Sequence, residues 1–325
     1  MPILVRLLII FVIAILLSSC TNQKYLPIQE DLSIAATVNI KDMTVSFIDI
    51  KNMKKLHDWD LKKPYTGAVI LPDGDTLLLF GKQVETVDLF SLKGGKMISS
   101  WKTGKGIVNG KLLNTNSNIA LADQNLGKIR FFNFDGEEIA QIKTASNPLT
   151  ILESVKEKKL YVLSFSKEKL TVIDLNGTKK VSEYDIHPAA AGAWLNEGGN
   201  ELWIGGHGAG AEVEKDIHVY NSDTGELTYK IPAPSMPVNF LEFNHQVFVL
   251  SHGSSMLYQL NVEGKVINSK TIGANPFEIA IFDQYLIIAG YDSNDIHIVN
   301  PATLEIIKTI PVGKGPFRIV LRERK

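Results

Sequence analysis

The sequence contains a single cysteine, Cys20, so no disulfide can form within the chain. It has no charge bias either: 34 Lys and Arg stand against 35 Asp and Glu. Broad nucleic-acid binding needs clustered cations that displace counterions, and this balance argues against it. Three signatures are missing from the sequence: a Gly-x-Ser-x-Gly elbow, a Cys-x-x-Cys-His haem attachment site and a phosphate-binding loop. Serine hydrolysis of the elbow type, covalent haem and P-loop nucleotide chemistry are thereby excluded.

Long apolar runs are also scarce, and the N-terminus holds the exception. Arg6 precedes an apolar stretch from Leu7 to Leu17. Eleven residues are too few to span a hydrocarbon core of roughly 30 Å as a helix, so the stretch reads as the h-region of a signal peptide. It ends Leu17-Ser18-Ser19-Cys20, which resembles the bacterial lipobox. That resemblance implies cleavage before Cys20 and lipid attached to it. Two or three acyl chains, at roughly 0.8 kcal/mol per buried methylene, hold a protein stably on a membrane. The expected layout is a signal peptide over 1–19, a lipidated polar tether over 20–33 and a folded domain over 34–325. The domain is expected outside the cytoplasm as a monomer, membrane-attached only through Cys20. The preference for Lys over Arg favours a Gram-positive envelope.

The folded part repeats. Gly273 to Phe317 holds four short apolar runs, FEIAIF, YLIIAG, IHIVN and LEIIKTI, separated by turn residues. Its third run ends in Asn300, and the segments VSFID, VETVD, IRFFN, LTVID, IHVYN and LYQLN match it, ending at Asp49, Asp88, Asn133, Asp174, Asn221 and Asn261. A period of about forty residues made only of strands is one propeller blade, and seven markers give seven blades. Asp and Asn alternate at the marker, which suits side-chain capping of a turn by an acceptor. A proline commonly opens the next blade, at Pro64, Pro148, Pro188, Pro237, Pro276 and Pro316. The chain starts without a first strand before Ile34, whereas Phe317 to Leu321 is a spare one. Pairing the two closes the ring and removes an open edge. The expected fold is therefore all-β: a seven-bladed propeller of four-stranded antiparallel blades.

Ala36-Thr37-Val38-Asn39, Leu170 to Asp174 and Thr309 to Gly313 resemble the motifs of the YVTN-repeat β-propeller family over residues 34 to 321. The resemblance implies the fold and leaves function open. Members include envelope proteins, and related propellers include lactonases, a streptogramin lyase and haem or quinone carriers.

Function in propellers collects where loops from many blades converge on one face around the channel. Blade five has an enlarged loop there, with thirteen residues from Ile204 to Ile217 against eight from Ile288 to Ile296 in blade seven. It contains His207, Glu212, Glu214 and Asp216. His252 occupies the same loop position in blade six, and His187 lies in the loop leading into blade five. These residues are the ligand-binding candidates, with His207 and His252 as catalytic candidates and His187, His207 and His252 as candidate metal ligands. No His-x-x-x-His spacing supports a metal, and no cofactor is expected. His218 and His297 occupy a repeat position that elsewhere accepts Ser, Glu, Arg, Thr and Tyr, so packing or exposure accounts for them. Two functions remain: a binding or scaffolding module for an envelope protein, a polymer or a small ligand on the channel face, or a lyase or hydrolase at the channel mouth on blades five and six.

Overall fold

The computed structural model describes residues 24–115 and 117–324; Cys20 and the lipobox lie outside the described residues. The strands, numbered β1 to β28 in chain order, form seven four-stranded antiparallel sheets. Among the described residues there is no α-helix, only a single 3-10 turn at His252–Ser254, and no helix is long and apolar enough to cross a membrane.

Blade one comprises β28 (Pro316–Arg322), β1 (Ile34–Asn39), β2 (Thr44–Asp49) and β3 (Lys54–Asp60). The last strand thus pairs with the first, from Ile34 opposite Arg322 to Asn39 opposite Pro316. This is the closure expected from the spare C-terminal run. The second and third strands of each blade are buried almost throughout, as in TLLLF, buried at all five positions. Strands buried on both faces read as continuous apolar runs, and each sheet packs against its two neighbours.

The seven innermost strands line the channel. They are β28, β4 (Gly67–Ile70), β8 (Ile107–Leu112), β12 (Pro148–Ser154), β16 (Ala190–Asn196), β20 (Pro237–Phe243) and β24 (Pro276–Phe282). In six of them the register slips at the second residue, leaving Val108, Leu149, Ala191, Val238, Phe277 and Phe317 unpaired against the neighbouring strand. A bulge re-aims the chain locally. Here it turns the bulged carbonyl toward the preceding blade. Asn109 Nδ2 donates to Leu149 O at 2.9 Å, Thr150 to Ala191 O and Asn239 Nδ2 to Phe277 O at 3.0 Å. At the matching place in blade five there is Gly192, and a Cβ there would stand well inside contact distance of the Val238 carbonyl.

The turn markers cap as expected. Asp49, Asn133, Asp174, Asn221, Asn261 and Asn300 each accept backbone N–H bonds from the turn that follows. Blade two corrects one register. Its third strand, β6, runs Thr86–Ser91, so Asp88 is interior and Ser91 is the cap, accepting from Gly94 N at 2.9 Å. VETVD has the alternation of a strand end, but the turn glycines Gly94 and Gly95 fix the true end three residues later. In blades one to four the residues equivalent to Asp88, three before each cap, are buried polar groups that tie to the loop entering their own blade. Ser46 accepts from Gly313 N, Asp88 accepts from Lys63 and Tyr65, Arg130 donates to Thr103 O, and Thr171 accepts from Ala145 N.

Part of the expected tether is docked. Ile28 and Ser33 are buried, Tyr25 stacks on Trp59 with ring centroids 5.1 Å apart, and Tyr25 N and Ile28 N donate to Gly95 O and Leu92 O. Arg322 donates to Leu32 O and Gln29 O, and Arg324 to Glu30 O. Residues 24–33 therefore lie across the hairpin face of blades one and two, opposite the face where inner strands begin.

Gly192→Ala should destabilise the protein by roughly 1–3 kcal/mol, because neither carbonyl nor strand can retreat. Gly198→Ala, whose Cβ meets only ordinary contacts, should change stability by less than about 0.5 kcal/mol. Urea unfolding midpoints of the two variants check the pair.

Candidate functional site

One backbone feature recurs at the channel mouth. The residue before six of the inner strands has positive φ: Gly106, Asn147, Ala189, Met236, Asn275 and Gly315. Its carbonyl accepts a hydrogen bond from the first residue after the second strand of the same blade. These donors are Gln124, Phe165, His207, His252, Tyr291 and Ile40. The bond fixes one side chain per blade at the rim. In four consecutive blades, four to seven, that side chain is a ring: Phe165, His207, His252 and Tyr291.

These rings join two others on the bulges into an arc. Phe165 meets His207 at a centroid separation of 5.8 Å, His207 meets His252 edge to face at 5.9 Å, and His252 meets Phe277 at 5.6 Å. Phe277 stacks on Phe317 at 4.3 Å, and Tyr291 closes the arc 6.4 Å from Phe317, with Lys41 Nζ 4.2 Å above its ring. Inside the arc is a cavity of about 270 Å³ lined by residues from all seven blades. Its charged groups are Lys111, Glu278 and Arg318. Arg318 Nη1 pairs with Glu278 Oε1 at 3.0 Å, and Asn239 Nδ2 donates to Glu278 Oε2 at 3.0 Å. Arg318 Nε is buried without a partner. Burial pushes the Glu278 carboxyl above its ordinary range, against the pull of Arg318 and Asn239. Burial, helped by Arg318 and opposed by Glu153, lowers the Lys111 ammonium.

The sequence candidates divide into two groups. His207 and His252 belong to the arc. His187 does not join them. It meets Glu214 and His218, whose ligand atoms and its own all lie within 4.8 Å of one another. The imidazoles of His187 and His218 stack with centroids 3.9 Å apart. Glu214 Oε1 accepts from Lys215 N and Asp216 N, both at 3.0 Å, which aims Oε2 at His218 Nε2, 3.3 Å away but outside hydrogen-bond geometry. Glu212 is exposed and joins neither group. His218 is the residue that sequence reasoning set aside. Its repeat position varies because blades one to four each tie a different polar group to the incoming loop, so variation there does not mean freedom. The shared position of Phe165 and Tyr291 with the two rim histidines was readable in the aligned repeats.

Burial pushes the His187 imidazole down to about 4, with His218 adding to the shift and Glu214 opposing it. Burial lowers His218 as well, against Glu214. At the rim, His207 is lowered by burial and then by His252, and His252 by burial. All four are neutral imidazoles at neutral pH, able to ligate or accept.

No protein-family model matches the chain, and no curated protein matches it. Solved structures do. A protein of unknown function from Desulfotomaculum acetoxidans DSM 771 superposes with a TM-score of 0.73 at 11% identity, covering 90% of this chain and 99% of that one. Kuenenia stuttgartiensis hydrazine synthase gives 0.73 at 15% identity over 88% and 99%, and apo AztD from Citrobacter koseri 0.59 at 14% over 90% and 98%. At these identities the likeness is one of fold alone, and the fold is the seven-bladed propeller.

The lowered rim histidines have a signed consequence. Below the ordinary value of 6.5 the unfolded chain takes up protons that the folded protein refuses. The histidines' contribution to stability is therefore complete above that value and lost as pH falls through their folded pKa values. The double variant His207→Gln/His252→Gln should lose less melting temperature than wild type between about pH 7 and pH 5. Identical slopes in the two proteins would show that the pair does not titrate with folding.

Proposed function

We propose that this protein is a lipid-anchored extracytoplasmic propeller of the YVTN-repeat type that binds, as a monomer and without transforming it, a small planar ligand carrying an anionic group. The observation that carries the reading is the aromatic arc standing over the unpartnered Arg318 Nε. Ring faces and edges favour a flat apolar body, at roughly 0.5–1.5 kcal/mol per aromatic contact beyond its area. Lys111 and Arg318 against one carboxylate, Glu278, leave the cavity net positive. A volume of about 270 Å³ suits a small molecule better than a folded partner or a polymer strand. Of the hydroxyls that line the cavity, that of Thr150 is spent on Ala191 O.

The lipobox supports attachment through Cys20. Residues 24–33 then hold the hairpin face toward the membrane and the channel mouth away from it, open to ligand. A second reading, a lyase or hydrolase at the mouth, draws on the His252 Nδ1, buried and unpartnered, beside His207.

Anilinonaphthalene sulfonate, an aromatic probe with one anionic group, should bind with a fluorescence rise that Phe317→Ala and Arg318→Gln each weaken by about tenfold or more. Binding unaffected by both variants overturns the site assignment. Cys20→Ala should move the protein from the membrane fraction to the soluble one or leave it unprocessed. Unchanged processing and retention would remove the anchor from the reading.

A further inference from the structure

We infer that blade five holds a divalent transition-metal site of the borderline class, such as Zn²⁺, built from His187, Glu214 and His218. The site is separate from the channel mouth and independent of what binds there.

Two imidazoles and one carboxylate are a common donor set for such an ion. Their ligand atoms already lie within 4.8 Å of one another, close enough that side-chain rotation brings them to one centre. The equivalent positions in blades one to four tie to the incoming loop by hydrogen bonds, as Arg130 Nη1 does to Thr103 O. In blade five the histidine instead stacks on His187 of that loop. His187 and His218 are buried, yet the Nε2 atoms of both lack hydrogen-bond partners. Two such nitrogens beside one carboxylate are costly in a slot that serves packing alone, because a buried polar atom without a hydrogen bond keeps its full desolvation penalty. A shared cation satisfies both at once.

The supporting groups fit as well. Tyr220 Oη accepts from His187 N at 2.9 Å and lies 3.3 Å from His187 Nδ1. A bond from Nδ1–H to this oxygen selects the tautomer that leaves the Nε2 lone pair for metal, the usual arrangement around a ligating histidine. The two N–H bonds to Glu214 Oε1 leave Oε2 as the ligand atom. Asp216 adds negative charge nearby and Lys230, paired across the strands with His218, adds one positive charge. Three protein ligands leave an open position for water. Glu214 sits in the enlarged loop, where Gly208 has φ +94° and approaches the Glu212 carbonyl too closely for a side chain.

The test is calorimetric titration of the purified full chain, stripped with chelator, with ZnCl₂. One ion per chain is expected. His187→Ala and His218→Ala should each weaken binding by more than about tenfold, and Tyr220→Phe by about tenfold. His207→Ala/His252→Ala should leave it unchanged. Because the two histidines are buried, Glu214→Gln at the partly exposed position serves as the variant that keeps the fold. Its loss of the Zn²⁺-induced rise in melting temperature is the second readout. No binding by wild type, or one-to-one binding that survives Glu214→Gln and His218→Ala, overturns the inference. Transfer of the loss to the His207/His252 variant overturns it too, placing the ion in the mouth.

Discussion

Every feature of this propeller depends on the pairing of β28 with β1. The two strands lie at opposite ends of the described chain, yet their ladder is what turns seven stacked sheets into a ring. Without it β1 would present an unpaired edge next to a channel that could not close. The closing strand does more than seal. It carries Phe317 into the aromatic arc and Arg318 into the cavity, and its end, Arg322 and Arg324, binds the carbonyls of the N-terminal segment. Ring closure, the arc of rings over the cavity and the docking of residues 24–33 all draw on this one strand.

Two further constraints act within the ring. In six blades the bulged second residue of the inner strand points its carbonyl at the neighbouring blade, and the positive-φ residue before that strand fixes one rim side chain. Both are backbone devices, so they recur whatever the side chain. Sequence is then free to vary at the rim, and blades four to seven use it for rings. The same economy holds in the slot three residues before the cap in blades one to four, where Ser46, Asp88, Arg130 and Thr171 tie the incoming loop with different chemistry.

The limits of sequence reading follow from this. Burial with a period of about forty residues leaves a strong trace, so the blade number, the capping Asp and Asn residues and the spare strand at Phe317 were all legible. Asp88 was misplaced because VETVD alternates as a strand end does and only the following turn corrects it. The rim histidines were found, since His207 and His252 share a repeat position, but the identical position of Phe165 and Tyr291 was passed over for want of ionisable groups. His187 was grouped with the wrong partners because face alone does not say which loop neighbours which side chain.

What the sequence determined by itself is the architecture: repeated apolar runs must be buried, and one unpaired run at each end has one partner. What only the tertiary structure decided is which side chains meet. His187 and His218 are separated by a hairpin and a long loop, and Phe277 and Phe317 by a whole blade. Their contacts are set by bulges, backbone φ angles and blade packing to within an ångström, a precision that no pattern of residue types encodes.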